Sequence, residues 1–584
     1  MNRLTLLIWL LIASVPFLPV PDFWITQANY IGLYALVVVG LVLLTGIGGL
    51  TSFGQAAFVG IGAYATAVLT TQYGFSPWLT LLAGLLITGG SAYIIGAITL
   101  RMSGHYLPLA TIAWSIALYY LFGSVEGLGK YDGIANLPSI PLFGWDLDNG
   151  RAMYWLIWAC LAIGCWAMLN LLNSRPGRAI RALKGGVQMA ESMGVNTARM
   201  KILIFVIAAL FASVSGWLFA HLQRAINPTP FGLTFSLEYV IMLVVGGIGS
   251  VWGAILGAGV VKLLQDQLQV LMPALFGTAG NFEWLVFGLI LILLLRFAPD
   301  GMWPWITRLL PRKTPPPLAT APALPRRAPT AKGTALLDVQ GVRKTFGGLV
   351  AVDNVSFQVK AGEVVGLIGP NGAGKSTTFN LVTGLLHAND GTVSFMGQRI
   401  ETQTSRDIAA MGVARTFQHV KLIPNMTVLD NVALGAHLRA DVGVVSATLH
   451  TDRRTEASIL QEAAHALKRV GLEEHMYTEA GNLALGQQRL LEIARALCCD
   501  PVLLLLDEPA AGLRAFEKEA LAQLLSSLRD EGMGILIVEH DMEFVMQLTD
   551  HIVVMVFGQK IAEGPPATIQ TNPAVLEAYL GGVE

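Results

Sequence analysis

No Asp, Glu, Lys or Arg occurs between Asp22 and Arg101. A soluble fold cannot run so long without charge, because its surface must face water. At roughly 20 residues per bilayer crossing, the stretch holds about three passes. Apolar runs near 4–20, 29–50, 54–72, 77–100, 106–123, 153–172, 201–220, 237–273 and 284–300 extend the pattern. Arg3 ahead of an apolar core gives the start the look of a signal peptide, but the spans that follow at once favour an uncleaved first helix. From about residue 335 charge returns to soluble levels, so the first half belongs in lipid and the second in water. The chain's 584 residues suffice for two or three cores, and its net charge of −1 points away from a nucleic-acid partner. Its four cysteines (Cys160, Cys165, Cys498, Cys499) read as buried free thiols.

Two polar interruptions orient the membrane half. Residues 124–152 carry Glu126, Asp132, Asp146 and Asp148, whereas 173–200 carry Arg175, Arg178, Arg181, Lys184 and Arg199. The positive-inside rule puts the second in the cytoplasm and the first outside. The basic linker (Arg308, Arg312, Lys313) must then be cytoplasmic, and parity requires the run 237–273 to break into two passes. Glycine destabilises helices, so the expected break is "GGIGS", Gly246 to Ser250. Beyond it Gly249, Gly253 and Gly257 recur at the spacing that lets helices approach closely. "LTSFGQAAFVGIGA" (50–63) faintly resembles this region; either the pair marks half-helices beside a transport path lined by Thr51, Ser52 and Gln55, or it marks close packing. Residues 311–333, "PRKTPPPLATAPALPRRAPTAKG", cannot build a core and predict an extended, semi-rigid tether.

Nucleotide chemistry is legible in the second half. "VVGLIGPNGAGKSTT" sets an apolar strand before Gly369, Asn371, Gly372, Gly374, Lys375, Ser376 and Thr377, a phosphate-binding loop in its required strand–loop–helix context. Glycines let backbone N–H groups crowd the phosphates, Lys375 brings a cation to the β and γ phosphates, and the Ser376 hydroxyl suits Mg²⁺. "PVLLLLDEP" ends a strand in Asp507, a magnesium ligand, and Glu508, placed to polarise the attacking water.

Between and after these motifs lie "RTFQ" (415–418), "LALGQQRLLEIARAL" (483–497) and "ILIVEHD" (535–541). That order resembles the ATPase domain of ATP-binding-cassette (ABC) transporters. The resemblance implies that Gln418 senses magnesium and reports to the membrane domain, that His540 contacts the γ-phosphate, and that Phe346 stacks on adenine. It implies that Leu483, Ala484, Leu485, Gly486 and Gln487 form the signature that closes over ATP held by a second subunit, with Gly512 and Leu513 in the segment joining the two. Ala484 departs from the usual serine. A missing hydrogen bond to a charged group is worth about 1.5–3 kcal/mol, so the site this signature completes is expected to be slower, which favours a heterodimer. The expected architecture is an all-α polytopic membrane helix bundle (1–305), a Pro-rich linker (306–334) and an α/β P-loop ATPase of the ABC type (335–584).

"FGGLVAVDNVSF", "ARTFQHVKLIPNMTV", "DEPAAGL" and "VEHDMEFVM" resemble the ATPases of branched-chain amino-acid importers, while "GQAAFVGIGAYATA", "SMGVN" and "VVGGIGSVWGAILGA" resemble their permease. The resemblance implies a permease fused to its ATPase that imports a small polar solute with ATP and Mg²⁺. It also implies a bacterial inner-membrane setting, in contact with lipid, and as partners a second permease, a second ABC ATPase and an extracytoplasmic solute-binding protein. "RALKGGVQMAESMGVN" (181–196) then reads as the cytoplasmic coupling element, with Glu191 and Gly194 as key positions, against the alternative of a solvated loop. Gly185 and Gly186 stand where relatives tend to carry acidic residues. An exporter half-transporter acting as a homodimer fits the chain length and domain order, but most cytosolic loops are too short for it. An ATP-gated regulator that moves nothing is disfavoured by the intact Glu508 and His540.

Overall fold

The computed structural model describes residues 3–100, 106–142, 144–276, 282–309 and 317–580. Arg101, Arg312 and Lys313, used above to set charge and topology, lie outside the described residues. The chain divides into two compact units, Met1–Asn173 with Ala198–Thr314, and Ser174–Thr197 with Pro315–Glu584.

Helices α1 (Arg3–Ser14), α2 (Asp22–Leu41), α3 (Gln55–Thr71), α4 (Pro77–Thr99), α5 (Tyr106–Ser124) and α6 (Gly150–Leu172) open the chain. After α6 come α7 (Arg175–Ala182) and α8 (Val187–Ser192), which belong to the second unit. Then α9 (Thr197–Gln223), α10 (Leu233–Gly246), α11 (Val251–Phe276), α12 (Phe282–Phe297) and α13 (Met302–Arg308) complete the first. α2 continues as a π turn through Ile47, and over residues 35–44 it is apolar all round and buried, with the other helices wrapping it. Among the described residues, five helices are long and apolar enough to cross a membrane, and two bent pairs add to them.

The outer segments hold one another. Short strands β1 (Ile134–Ala135) and β4 (Ala225–Ile226) pair, β2 (Ile140–Leu142) forms a hairpin with β3 (Trp145–Leu147), and Asp22 meets Arg151 at 2.8 Å. Residues 124–152 and 224–232 therefore share one face. The 27 residues of α9 span about 40 Å, so its start lies on the opposite face.

The long run at 237–273 breaks at the expected glycines, where α10 and α11 meet at a 117° bend. The fourteen residues of α10 reach only about 21 Å, short of a hydrocarbon core of about 30 Å. α10 is thus too short to span and α11 turns sharply back from it, where the charge pattern had required two full passes. Glycine makes the bend compact: a Cβ on Gly257 would sit 1.9 Å from the Met242 carbonyl oxygen, and one on Gly253 2.6 Å from that of Gly246. Gly249, the third member of the spacing, faces open space.

In the second unit, β5 (Ala335–Phe346), β6 (Leu349–Lys360), β8 (Asp390–Phe395) and β9 (Gln398–Arg399) form an antiparallel sheet in the order β6-β5-β8-β9 once β7 (Val364–Ile368) is set aside. β7 instead joins β10 (Val413–Arg415), β11 (Leu503–Asp507), β12 (Gly534–Val538), β13 (His551–Val556) and β14 (Gln559–Gly564) in the order β10-β11-β12-β7-β13-β14. β7, β11 and β12 are buried throughout and run parallel, so their apolar sequences carry no alternation. The Pro-rich segment has no regular structure from 317 to 331, yet it is fastened as a strap. The Arg327 backbone N–H donates to Asp500 at 2.6 Å, its guanidinium to the Ala410 carbonyl at 3.0 Å, and Leu324 is buried. Composition correctly denies this stretch a core of its own and is silent on the core it borrows.

Gly257→Val should lower the yield of folded, monodisperse protein sharply, because backbone blocks the added carbons, whereas Gly249→Ala should be neutral. Thermal unfolding of the detergent-solubilised protein, followed by size exclusion, checks the contrast.

Candidate functional site

The nucleotide site assembles at the C-terminal ends of the parallel strands, where such sheets bind ligands. β7 delivers the phosphate loop, which leads into α14 (Lys375–Val382). Gly372 and Gly374 hold φ of +81° and +95°, and a Cβ on Gly374 would lie 2.4 Å from the Ala351 carbonyl oxygen, so the loop needs glycine there. Lys375 Nζ donates to the Gly369 and Pro370 carbonyls at 2.7 and 2.9 Å, held over the loop it serves. Ser376 and Asn371 are exposed and Thr377 is half-buried at the start of α14.

β11 ends in Asp507, which is buried and whose Oδ1 has no hydrogen-bond partner among the described residues. Burial, with the Glu508 charge adding to it and Arg415 opposing, pushes the Asp507 carboxyl up to about 6. Glu508 follows at φ +48°, a left-handed conformation that costs a non-glycine residue energy and often marks a working site. Its Oε1 accepts from Gln418 Nε2 at 3.1 Å, and its Oε2 lies 4.0 Å from His540 Nδ1. The phosphate loop, Gln418, Asp507, Glu508 and His540 thus converge. Phe346 stands at the end of β5, 46% exposed, with the Lys344 ammonium over its ring.

Two contributors escaped the sequence reading. Glu539, fully buried, accepts the Ala510 N–H at 2.6 Å and the His540 N–H at 3.1 Å, so it ties the backbone just after Glu508 to that of His540. Arg415, buried between the Phe379 and Phe417 rings, donates to Thr383 Oγ1 at 2.6 Å and fastens the segment carrying Gln418 to α14. The only advance signal for either was its place beside a motif.

The signature occupies the N-terminus of helix Leu485–Leu497. Leu483 is buried, and Gly486 lies so close to Glu517 that a Cβ there would meet its carboxylate at 2.8 Å. Gln487 Oε1 accepts the Ala484 N–H at 3.1 Å, but alanine returns no side-chain bond. One end of this helix therefore lacks the cap that serine supplies. Gly512 and Leu513 follow the catalytic strand, with Leu485 against Gly512.

The segment 174–197 packs within the ATPase unit. Arg178 is buried and its guanidinium forks onto Glu456, with Asp430 3.8 Å away. Arg175 donates to the His437 and Val442 carbonyls at 2.7 and 2.8 Å. Burial and the neighbouring Arg175 and Arg178 push His437 down to about 3, which keeps it neutral beside them. On α8, Gln188 accepts from Lys421 Nζ at 3.3 Å, three residues beyond Gln418. Gly194, at φ +83°, touches Leu438 so closely that a Cβ would meet it at 2.2 Å. Glu191 turns back onto Thr197 Oγ1 at 2.7 Å and stabilises the segment itself. The charged contacts come from α7, one turn earlier than the stretch the sequence singled out.

In the first unit Gln55 is fully buried at the start of α3, and neither atom of its amide has a hydrogen-bond partner among the described residues. Ser52 is buried beside it and Thr51 half-buried. The Phe53 N–H donates to Thr111 and the Ala56 N–H to Ser236, both at 3.1 Å.

These features define an ABC transporter chain with an ATP-hydrolysing domain joined to a membrane-embedded permease. Residues 23–295 match the model of the permease component of branched-chain amino acid transport systems, residues 352–511 that of ABC transporters, and residues 559–584 that of branched-chain amino acid ATP-binding cassette transporters. The high-affinity branched-chain amino acid transport ATP-binding protein LivG of Salmonella typhimurium is 46% identical over 42% of this chain and 98% of its own length. Its counterpart BraF of Pseudomonas aeruginosa is 43% identical over the same shares. A nucleotide-free cassette of an ABC transporter, known from its crystal structure, is 32% identical with a TM-score of 0.38, covering 42% of this chain and 99% of its own. The chain belongs to the branched-chain amino-acid family of ABC transporters, and the exporter alternative falls with that assignment. It couples ATP hydrolysis to transport in company with other transporter subunits.

Ala484→Ser should restore the cap, adding about 1 kcal/mol to helix stability. It should also raise steady-state ATP hydrolysis by the assembled transporter, up to the roughly 10- to 100-fold that one charged hydrogen bond allows. A coupled-enzyme ATPase assay checks it. A second expectation concerns pH. A metal ligand must be deprotonated, so with Asp507 raised to about 6 the ATPase should fall as pH drops through that value. Raising Mg²⁺ should shift this acid limb to lower pH, and a pH series at limiting and saturating Mg²⁺ reads it.

Proposed function

We propose that this chain is the fused permease and ATPase of a bacterial plasma-membrane importer for branched-chain amino acids, with its ATPase domain in the cytoplasm. A second permease, a second ABC ATPase and an extracytoplasmic solute-binding protein complete the assembly. The carrying observation is the 174–197 segment, contributed by the permease sequence and seated on the ATPase through Arg175 and Arg178, with its Gln188 meeting Lys421 three residues beyond Gln418. The permease match and the relatives' names support the substrate class.

Glu508 polarises water for attack on the γ-phosphate, His540 steadies that phosphate, and Lys375 with the loop N–H groups holds it in line. Asp507, Ser376 and Gln418 offer the hard oxygen donors that suit Mg²⁺, and the orphaned Asp507 Oδ1 is consistent with that role. When bound, Mg²⁺ neutralises phosphate charge. Gln418 touches Glu508, and Lys421 touches Gln188, so a shift at the γ-phosphate moves the seat of α8. Glu191 and Gly194 keep that segment folded and close to Leu438. Thr51, Ser52 and Gln55 line the path, the unpaired Gln55 amide being a group a passing solute can satisfy. Ala484 makes the composite site it completes the weaker of an unequal pair.

The test is uptake by the complete transporter in proteoliposomes. ATP-dependent accumulation of leucine, isoleucine or valine, abolished by Glu508→Gln, is expected; ATP hydrolysis with accumulation of none of the three would overturn the assignment. Breaking one partner of a buried ion pair costs about 3–5 kcal/mol, so Glu456→Gln should unseat α7. Uptake should then fall at least tenfold while ATP hydrolysis persists, read as a drop in leucine carried per ATP in the same vesicles.

A further inference from the structure

Three ionisable side chains meet on the apolar helices α10 and α11 of the first unit. Glu238 on α10 and Lys262 and Asp266 on α11 line a cavity of about 190 Å³, together with Tyr34, Phe235 and Phe287. Charge within membrane helices is costly and by default functional. Lys262 bonds Asp266 Oδ1 at 2.6 Å and sits over the Tyr30 ring, while Asp266 Oδ2 is buried with no partner among the described residues. Gln265 holds Glu238 from the side. That space has room for several waters and suits a small solute.

We propose that this cavity binds an α-amino acid on its way through the permease. The α-carboxylate takes Lys262, the α-ammonium takes Glu238 and the free oxygen of Asp266, and the aliphatic side chain lies against Phe235, Phe287 and Tyr34. The charges select a zwitterion. A simple anion meets two carboxylates, a simple cation meets Lys262, and a neutral solute brings no charge to Asp266 Oδ2, which lacks a partner among the described residues. The position suits delivery from outside, because Glu238 lies five residues into α10 from the 224–232 face, opposite the start of α9. The assignment deepens the import reading above and rests on it.

A photoreactive, diazirine-bearing leucine is crosslinked to the wild-type complex in proteoliposomes and the labelled peptides are mapped, alongside uptake of radiolabelled leucine. Label within 234–269 or at Phe287 is expected, competed by leucine but not by 4-methylpentanoate or 3-methylbutylamine, each of which lacks one charge. Lys262→Met and Glu238→Gln should each cut uptake about ten- to a hundredfold, the scale of one lost charged hydrogen bond, with partial rescue by Lys262→Arg. Wild-type uptake with label confined to other segments overturns the cavity and leaves the import reading standing, as do variants that transport normally. No uptake of any α-amino acid by the wild type overturns the import reading, and the cavity with it. Should a variant fail to assemble, the wild-type label decides alone.

Discussion

A buried guanidinium fastens residues 174–197 to the rest of the ATPase unit. Arg178 is almost wholly removed from water, and only the forked bond to Glu456, with Asp430 nearby, offsets the loss of its hydration. Such a pair contributes little net stability over an apolar contact but tolerates no misplacement, because half of it leaves a buried charge. It therefore transmits position well. Arg175, bonded to two carbonyls of the neighbouring loop, adds direction to that hold. Through Lys421 and Gln188 the same seat lies close to Gln418, whose amide reaches Glu508.

The membrane helices solve a different problem with glycine. Lipid supplies no hydrophobic drive between helices, so close packing must hold them. Gly257 and Gly253 bring α11 onto α10, and Gly216 brings α9 within reach of α3, where a Cβ would meet the Val59 carbonyl at 2.0 Å. These contacts leave polar groups few neighbours. Both amide atoms of Gln55 and Oδ2 of Asp266 stay buried without a hydrogen-bond partner among the described residues.

Much of this was legible in the order of residues. The phosphate loop, the acidic end of β11 and the glycine break at 246–250 are local patterns, each with one physical reading at short range, and each has its expected backbone. What stayed hidden depends on partners far apart in sequence. Nothing local marks Glu539 as the acceptor for Ala510, or Arg178 as the mate of Glu456 almost 300 residues on. Glu191 drew attention as a lone acid in a basic stretch, yet its bond to Thr197 spans only six residues. The charged trio around Glu238 escaped notice because its members sit on two helices, and only the bend between them brings them to one cavity.

The glycines at 185 and 186 now have a physical reason. Gly186 holds φ of +112° in the turn between α7 and α8, a conformation that an acidic residue would adopt only under strain. A Cβ on Gly185 would press on Met189 and approach Ile423 at 3.3 Å. The two glycines thus make a tight turn that seats α8 close to Ile423. Charge attraction would help a separate permease and ATPase find each other, and one chain needs it less. Linked partners meet at an effective concentration of about millimolar order, so the fused protein can spend its docking residues on precision at Arg178 and leave capture to the covalent bond.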